Sequence, residues 1–220
     1  MANIPCKICS NTTAIIYDGQ YDQNYYYCNN CDFIFLDENK ILSPDQEKKE
    51  YSFHQNNFEN EGYVNMFREF IDKAINPHKA KIKTALDFGS GPGPVLAELL
   101  RKEGFKTDVY DKYFAPEKVY LDKKYDLITA TEVFEHLKDP LETLKLLKSL
   151  LNKDGIIAIT TLFHPNNDEE FKKWWYRRDS THIAFYTPKT IERIARLVGM
   201  KVLMADEKNT ITLGDRDFSQ

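Results

Sequence analysis

Beyond residue 31 the sequence has no cysteine, and nowhere does it have an apolar run approaching membrane-spanning length. The N-terminus, MetAlaAsnIleProCysLysIleCys, lacks the charged-then-apolar pattern of a secretory signal. A cytosolic protein with no membrane partner is therefore expected. Basic residues are also short, 30 Lys and Arg against 34 Asp and Glu, for a net charge of -4. Nucleic acid is thus an unlikely partner, because such surfaces depend on clustered cations to neutralise phosphates, although a local basic patch is not excluded. Repeats and low-complexity tracts are absent. The apolar and charged fractions are those of an ordinary soluble globular protein, and 220 residues suit one large domain or one domain with a small appendage.

Three regions differ in character. Residues 1–40 show little helical pattern and are rich in Tyr, Asn and Cys. Runs at 14–17, 25–28 and 33–36 read as short strands. Residues 41–80 read as a helical linker or lid. In it Tyr63, Phe67, Phe70, Ile71, Ala74 and Ile75 paint one apolar face, and Pro77 is expected to end the helix. From 81 to 220 strand and helix alternate. Strands are expected at 84–88, 107–110, 126–130 and 155–160, and helices around Val95–Leu100, Leu141–Leu151 and Ile191–Val198. The turn AsnLysAspGly is expected to close the second of these helices, and Thr187 with Pro188 to open the third. A hairpin closes the pattern. Such alternation means an α/β fold with a mostly parallel, doubly wound, Rossmann-like sheet carrying a C-terminal antiparallel hairpin.

The stretch AlaLeuAspPheGlySerGlyProGlyProVal at 85–95 joins the first of these strands to a helix. In such sheets ligands bind beyond the carboxyl ends of the strands, and glycines let a ligand touch the main chain. The alternative is a tight turn with no ligand. A nicotinamide dinucleotide fingerprint needs G-x-G-x-x-G, but Pro94 holds its third position.

The pattern present, G-x-G-x-G after Leu86 and Asp87, resembles motif I of the class I S-adenosylmethionine-dependent methyltransferases. Asp111 stands where that family's acidic residue accepts both ribose hydroxyls, its bland alternative being a solvated turn residue. The segment ThrAlaThrGluValPheGluHisLeu (129–137) resembles the family segment lining the methionine end of the cofactor. Residues 174–188 resemble the late segment of a bacterial subgroup. The resemblance covers about 83–214. It implies S-adenosylmethionine bound by Asp87, Phe88, Gly89, Ser90, Gly91, Gly93, Asp111, Lys112, Tyr113, Thr131 and Glu132. One departure stands out. Only thirteen residues separate Asp111 from Tyr125, where the family fits a helix, a strand and another helix. Residues 119–121 are read as a vestigial third strand and Asp122 as a weak candidate for the adenine amine, leaving adenine mainly to Lys112 and Tyr113.

Cys6, Cys9, Cys28 and Cys31 form C-x2-C-x18-C-x2-C. Two such knuckles suit a small zinc ribbon, with free thiols or a redox pair as the alternative. Four thiolates leave no open position, so the zinc would be structural. A region this small has too little apolar core to stand without such a staple.

Methyl transfer to a hydroxyl or amine benefits from a base, and histidine titrates nearest neutrality. The catalytic candidates are His182 and His136, each with the alternative of simply bonding a backbone carbonyl. Trp174, Trp175, Tyr176 and Tyr186 are expected to wall an acceptor pocket, facing a second aromatic-rich segment at 46–66. Arg177 and Arg178 read either as anion binders or as a solvated face. His54, His78 and His164 carry no assignment. The reading is a small-molecule methyltransferase. The alternatives are RNA or protein methylation, or a cofactor-binding interaction module that has lost catalysis.

Overall fold

The computed structural model describes residues 4–53 and 57–216. His54 therefore lies outside the described residues. The chain opens with strands β1 (Ala14–Asp18), β2 (Gln23–Tyr27) and β3 (Ile34–Leu36), paired in antiparallel order. Helix α1 (Pro44–Tyr51) begins with a capping box between Ser43 and Gln46. Helix α2 (Glu61–Phe70) is capped by Asn60 and buries Val64, Phe67 and Phe70.

Pro77 does not end this helix. The regular ladder gives way earlier, to a π segment at Ile71–Ile75 and then a 3-10 segment at Asn76–Lys81. Pro77 falls in the first turn of the latter, where its missing N–H leaves no intrahelical bond unmade.

The second part runs β4 (Thr84–Phe88), α3 (Val95–Lys102), β5 (Lys106–Tyr110), β6 (Tyr125–Thr131), α4 (Pro140–Ser149), β7 (Leu151–Thr160), α5 (Asp168–Lys173), β8 (Ala184–Phe185), α6 (Pro188–Leu197), β9 (Met200–Ala205) and β10 (Thr210–Asp215). Its six-stranded sheet has the order β5-β4-β6-β7-β10-β9. The first four strands are parallel, and β10 is antiparallel to both its neighbours. The expected mixed α/β fold with a C-terminal hairpin is what is found. The chain leaves β4 for β5 on one side and then passes back to β6 on the other, so the strand order reverses at β4 and a crevice opens beyond the carboxyl ends there.

Two local expectations fail. Residues 119–121 form turns, not a strand, and β5 is the edge of the sheet. Residues 111–124 are themselves the crossover from β5 to β6 and leave no length for a further strand, and Tyr120 instead packs its ring 5.0 Å from that of Tyr110. AsnLysAspGly does not close the preceding helix. Helix α4 stops at Ser149, and these residues begin β7 with Asp154 at φ 61° and a register shift against β6.

Apolar cores lie on both faces of the sheet. On one, Val64, Phe67, Phe70 and Ile75 pack with Val95, Leu96, Leu99 and Leu100 of α3. On the other, α4 and α6 share a continuous core with Tyr25, Phe33 and Phe35 of the cysteine region. Each such fully buried side chain contributes about 1.5–3 kcal/mol. Strand β8 completes the N-terminal sheet by pairing with β3, and Leu36 N–H donates to the Ile183 carbonyl at 2.9 Å. Arg177 neither binds an anion from solvent nor faces it. Its side chain is buried and ion-paired with Asp18, while Arg178 is exposed.

Candidate active site

The glycine turn is held by the start of the loop after β5. Gly89 N–H donates to the Tyr110 carbonyl at 2.7 Å. The Asp111 carboxylate accepts from the N–H groups of Gly91 at 2.9 Å, Tyr113 at 2.8 Å and Phe114 at 3.0 Å. One buried acid thus ties the turn after β4 to the turn after β5. Gly89 has φ 82°, and a Cβ there would lie 2.4 Å from Val133 Cγ2, so neither the conformation nor the space admits a side chain.

A cavity of about 440 Å³ opens at this point, within the size range of small-molecule sites. Phe88, Gly89, Ser90, Gly91, Asp111, Lys112, Tyr113, Thr131 and Glu132 line it, as do both candidate histidines. Asp87 and Gly93 do not. Asp87 is buried beneath the turn, accepting from the Thr129 hydroxyl at 2.9 Å. Burial pushes its carboxyl up to about 6, against the Thr129 hydroxyl and the Ala97 N–H, which favour the charged form. Asp122 does not line the cavity either.

At the other end Glu132 takes φ 52°, a left-handed conformation costing roughly 1–2 kcal/mol and of a kind that clusters at functional sites. Its carboxylate accepts from the Tyr176 hydroxyl at 2.9 Å and from Thr160 Oγ1 at 3.1 Å. The same Tyr176 hydroxyl lies 2.6 Å from Oε1 of Glu135, a side chain with no solvent exposure. Burial, then the charge of Glu135, pushes Glu132 up to about 7, and burial raises Glu135 as well.

His136 and His182 stand beside this pair with ring centroids 4.8 Å apart. His136 Nδ1 bonds the Thr181 carbonyl at 2.9 Å and His182 Nδ1 the Tyr176 carbonyl at 2.7 Å. A carbonyl only accepts, so both Nδ1 atoms carry hydrogen and both Nε2 atoms present lone pairs. Burial lowers both rings; His182, with His136 adding to the effect, falls to about 4. Both are therefore neutral bases at pH 7.

The expected acceptor wall is only half right. Trp175 and Tyr176 line the cavity, but Trp174 and Tyr186 do not. Trp174 packs on Phe171 and Phe185, and Tyr186 is fully buried, donating to the Phe134 carbonyl at 2.8 Å. The wall is completed from the segment at 46–66 by Tyr51, Tyr63 and Met66. Helix α1 is fastened there by Glu47, which accepts from Lys112 Nζ at 2.8 Å and from the Tyr113 hydroxyl at 2.8 Å. Glu47, Tyr51 and Tyr63 carry no site signal in the sequence beyond the aromatic content of their segment.

The four cysteines converge from two near-identical knuckles. Ser10 N–H donates to the Cys6 carbonyl at 2.9 Å and Asp32 N–H to that of Cys28 at 2.8 Å, and both donors have φ 59°. The sulfurs lie 3.6 Å apart for Cys6 and Cys31, 3.5 Å for Cys9 and Cys28, and 3.7 Å for Cys9 and Cys31. A tetrahedral zinc with Zn–S bonds of about 2.3 Å sets its sulfurs about 3.8 Å apart, so the cluster fits that ion. These separations are far too long for disulfides of about 2.05 Å, and all four thiols are free.

Comparison with known proteins bears on this geometry. A 28% identical relative, the ubiquinone biosynthesis O-methyltransferase of Histophilus somni (strain 2336), aligns over 42% of this chain and 48% of that enzyme. A tRNA U34 carboxymethyltransferase of Campylobacter fetus subsp. fetus (strain 82-40) is 48% identical over 46 residues, 21% of this chain and 16% of that one. The chain thus spans about half of one curated relative and far less of the other. In fold it is similar to a SAM dependent methyltransferase from Archaeoglobus fulgidus, with a TM-score of 0.53 at 16% identity over 70% of this chain and 94% of that one. An O-methyltransferase family protein from Burkholderia thailandensis also gives a TM-score of 0.53, at 14% identity over 79% and 64%. A family model described as a methyltransferase domain matches residues 51–205, well over half of the chain, and the protein belongs to that methyltransferase family, with the class I fold.

Proposed function

We propose that the protein is an S-adenosylmethionine-dependent methyltransferase of a small, hydroxyl-bearing acceptor, with a structural zinc on Cys6, Cys9, Cys28 and Cys31. The observation that carries this reading is the clamp between Asp111 and Gly91 N–H at the mouth of one cavity. It brings the close-approach glycines and the expected ribose acceptor to a single ligand position. A carboxylate offers about four acceptor sites, and three N–H groups use three of them, which leaves capacity for a ribose hydroxyl. Lys112 and Tyr113 flank adenine. Thr131 and Glu132 hold the methionine end. Asp87 and Gly93 support the turn from outside the cavity.

S-adenosylmethionine, when bound, supplies a sulfonium methyl that the acceptor takes in line while the carbon–sulfur electron pair stays on sulfur. The chain's part is mainly positioning, which supplies roughly 7–11 kcal/mol when two reactants are aligned. Nε2 of His182, or of His136 beside it, meets the acceptor and receives its one proton. The name of the Histophilus somni relative supports an oxygen acceptor. Among the described residues, Lys112 is the only lysine or arginine on the cavity lining, and its pairing with Glu47 speaks against an RNA substrate. No helix of the described residues is long and apolar enough to cross a membrane. Thiols kept reduced for metal suit the cytoplasm.

The test is transfer of a labelled methyl from S-adenosylmethionine to a panel of small hydroxylated compounds, tRNA and protein. Label in a small molecule supports the reading, and label in tRNA or protein overturns the acceptor class. No transfer alongside tight cofactor binding would favour a binding module without catalysis. His182→Ala should lower turnover about 100-fold or more, the usual worth of a general base, with cofactor affinity nearly unchanged.

A further inference from the structure

We propose that Glu135, His136 and His182 hold a divalent cation of borderline hardness at the acceptor end of the cavity. One ligand atom from each of the three lies within 4.8 Å of the others, and His136 Nε2 is 3.9 Å from Glu135 Oε1. Ligands about 2.1 Å from a shared ion sit about 3.0–4.2 Å apart, so closing on it draws these atoms in by about 1 Å. The hydrogen bonds that would hold the two rings in place are already made. Both Nδ1 atoms are bonded to backbone carbonyls, an arrangement that fixes the tautomer of metal-ligating histidines and aims Nε2 at the ion.

Charge makes the independent case. Glu135 is wholly buried, and its Oε2 has no hydrogen-bond partner among the described residues. Its Oε1 shares the one Tyr176 hydroxyl with Glu132, and a single hydroxyl proton serves only one of two carboxylates. Side by side and buried, the two carboxylates keep protons unless a cation stands near, and Lys112 of the lining is taken by Glu47. A cation at Glu135 supplies what is missing. Two imidazoles and a carboxylate suit manganese, iron, cobalt or zinc and leave coordination positions open to the cavity. The inference rests on the methyltransferase reading only for its purpose, which is to hold the acceptor's oxygen. In that state the two histidines act as ligands, where without the ion each is a lone base.

Mn²⁺ titrated into the zinc-loaded full chain and followed by electron paramagnetic resonance tests it, since four thiolates already committed to zinc do not compete. One Mn²⁺ per chain is expected, with pulsed spectra of the unaltered protein showing nitrogen couplings from imidazole. Glu135→Gln and His182→Ala should each weaken Mn²⁺ about tenfold or more while zinc content is retained. No bound Mn²⁺, or bound Mn²⁺ without nitrogen couplings, overturns the site. Calorimetry with S-adenosylhomocysteine separates the two ideas. Nucleoside binding without Mn²⁺ sinks the cation site alone, while nitrogen-coupled Mn²⁺ without nucleoside binding supports the site and sinks the cofactor reading.

Discussion

Arg177 and Asp18, 159 positions apart, form an ion pair with side-chain exposures of 1% and 3%. The pair joins the first strand of the cysteine region to the segment that carries Tyr176 and His182. Removing one partner strands the other charge in the interior, and breaking such a pair typically costs about 3–5 kcal/mol. Asp18→Ala should therefore destabilise the protein by that amount in chemical denaturation. The double change Asp18→Leu with Arg177→Met should recover most of the loss. Equal losses in the single and double variants would mean that the charge is not what matters there.

Metal removal should reach the active site. Strand β3 pairs with Ala184 and Phe185, two and three residues after His182, and Thr190 Oγ1 donates to the Cys31 carbonyl at 2.8 Å. Cys9→Ser should lose zinc by elemental analysis and cut methyl transfer more than it weakens S-adenosylhomocysteine binding. Gly89, Asp111 and the parallel strands lie outside this sheet, so the nucleoside end should survive. Full turnover in a zinc-free variant would separate the ribbon from the chemistry.

Gly89→Ala should abolish nucleoside binding and lower the melting temperature. Its Cβ meets Val133 Cγ2 at 2.4 Å, and φ 82° adds about 1–2 kcal/mol of its own. Pairing it with Val133→Ala removes the clash but not the torsional penalty, so stability should return only in part. Complete recovery would show that space alone requires the glycine.

How much was legible in the sequence depends on how local each signal is. The cysteine spacing, the glycine turn and the Asp111 position are short-range patterns whose geometry comes from a few residues. The cavity wall is not of that kind. Trp174 and Trp175 are neighbours, yet one packs against Phe171 while the other stays 65% exposed, because a 3-10 turn beginning at Trp175 points them apart. Tyr51 reaches the cavity only because Glu47 is fastened to Lys112 and Tyr113, a contact spanning 65 positions with no periodic trace. Glu135 lies in the 129–137 segment that the resemblance singles out, but nothing in the sequence marks it as buried. Only the packing of Tyr176 over it shows that it is buried.

Asp87 makes stability depend on pH. Its folded pKa of about 6 lies above the ordinary 3.8, so the folded state binds more protons between those values. Stability from this group therefore falls as pH rises from about 4 to about 6, by up to about 3 kcal/mol. Asp87→Asn keeps an acceptor for the Thr129 hydroxyl without the charge. Its stability relative to the unaltered protein should rise across that window, as read by denaturation at pH 4 and pH 7. A difference independent of pH would mean that Asp87 is charged in the fold.

The central claim is that the cavity beside Gly91 and Asp111 is an S-adenosylmethionine site. Calorimetric titration of S-adenosylhomocysteine into the purified chain, with NAD as control, tests it most directly. The expected result is one nucleoside per chain and no NAD, with affinity falling about tenfold or more in Asp111→Ala as ribose loses a charged acceptor. No binding of S-adenosylhomocysteine, or equal binding by Asp111→Ala, would contradict the account.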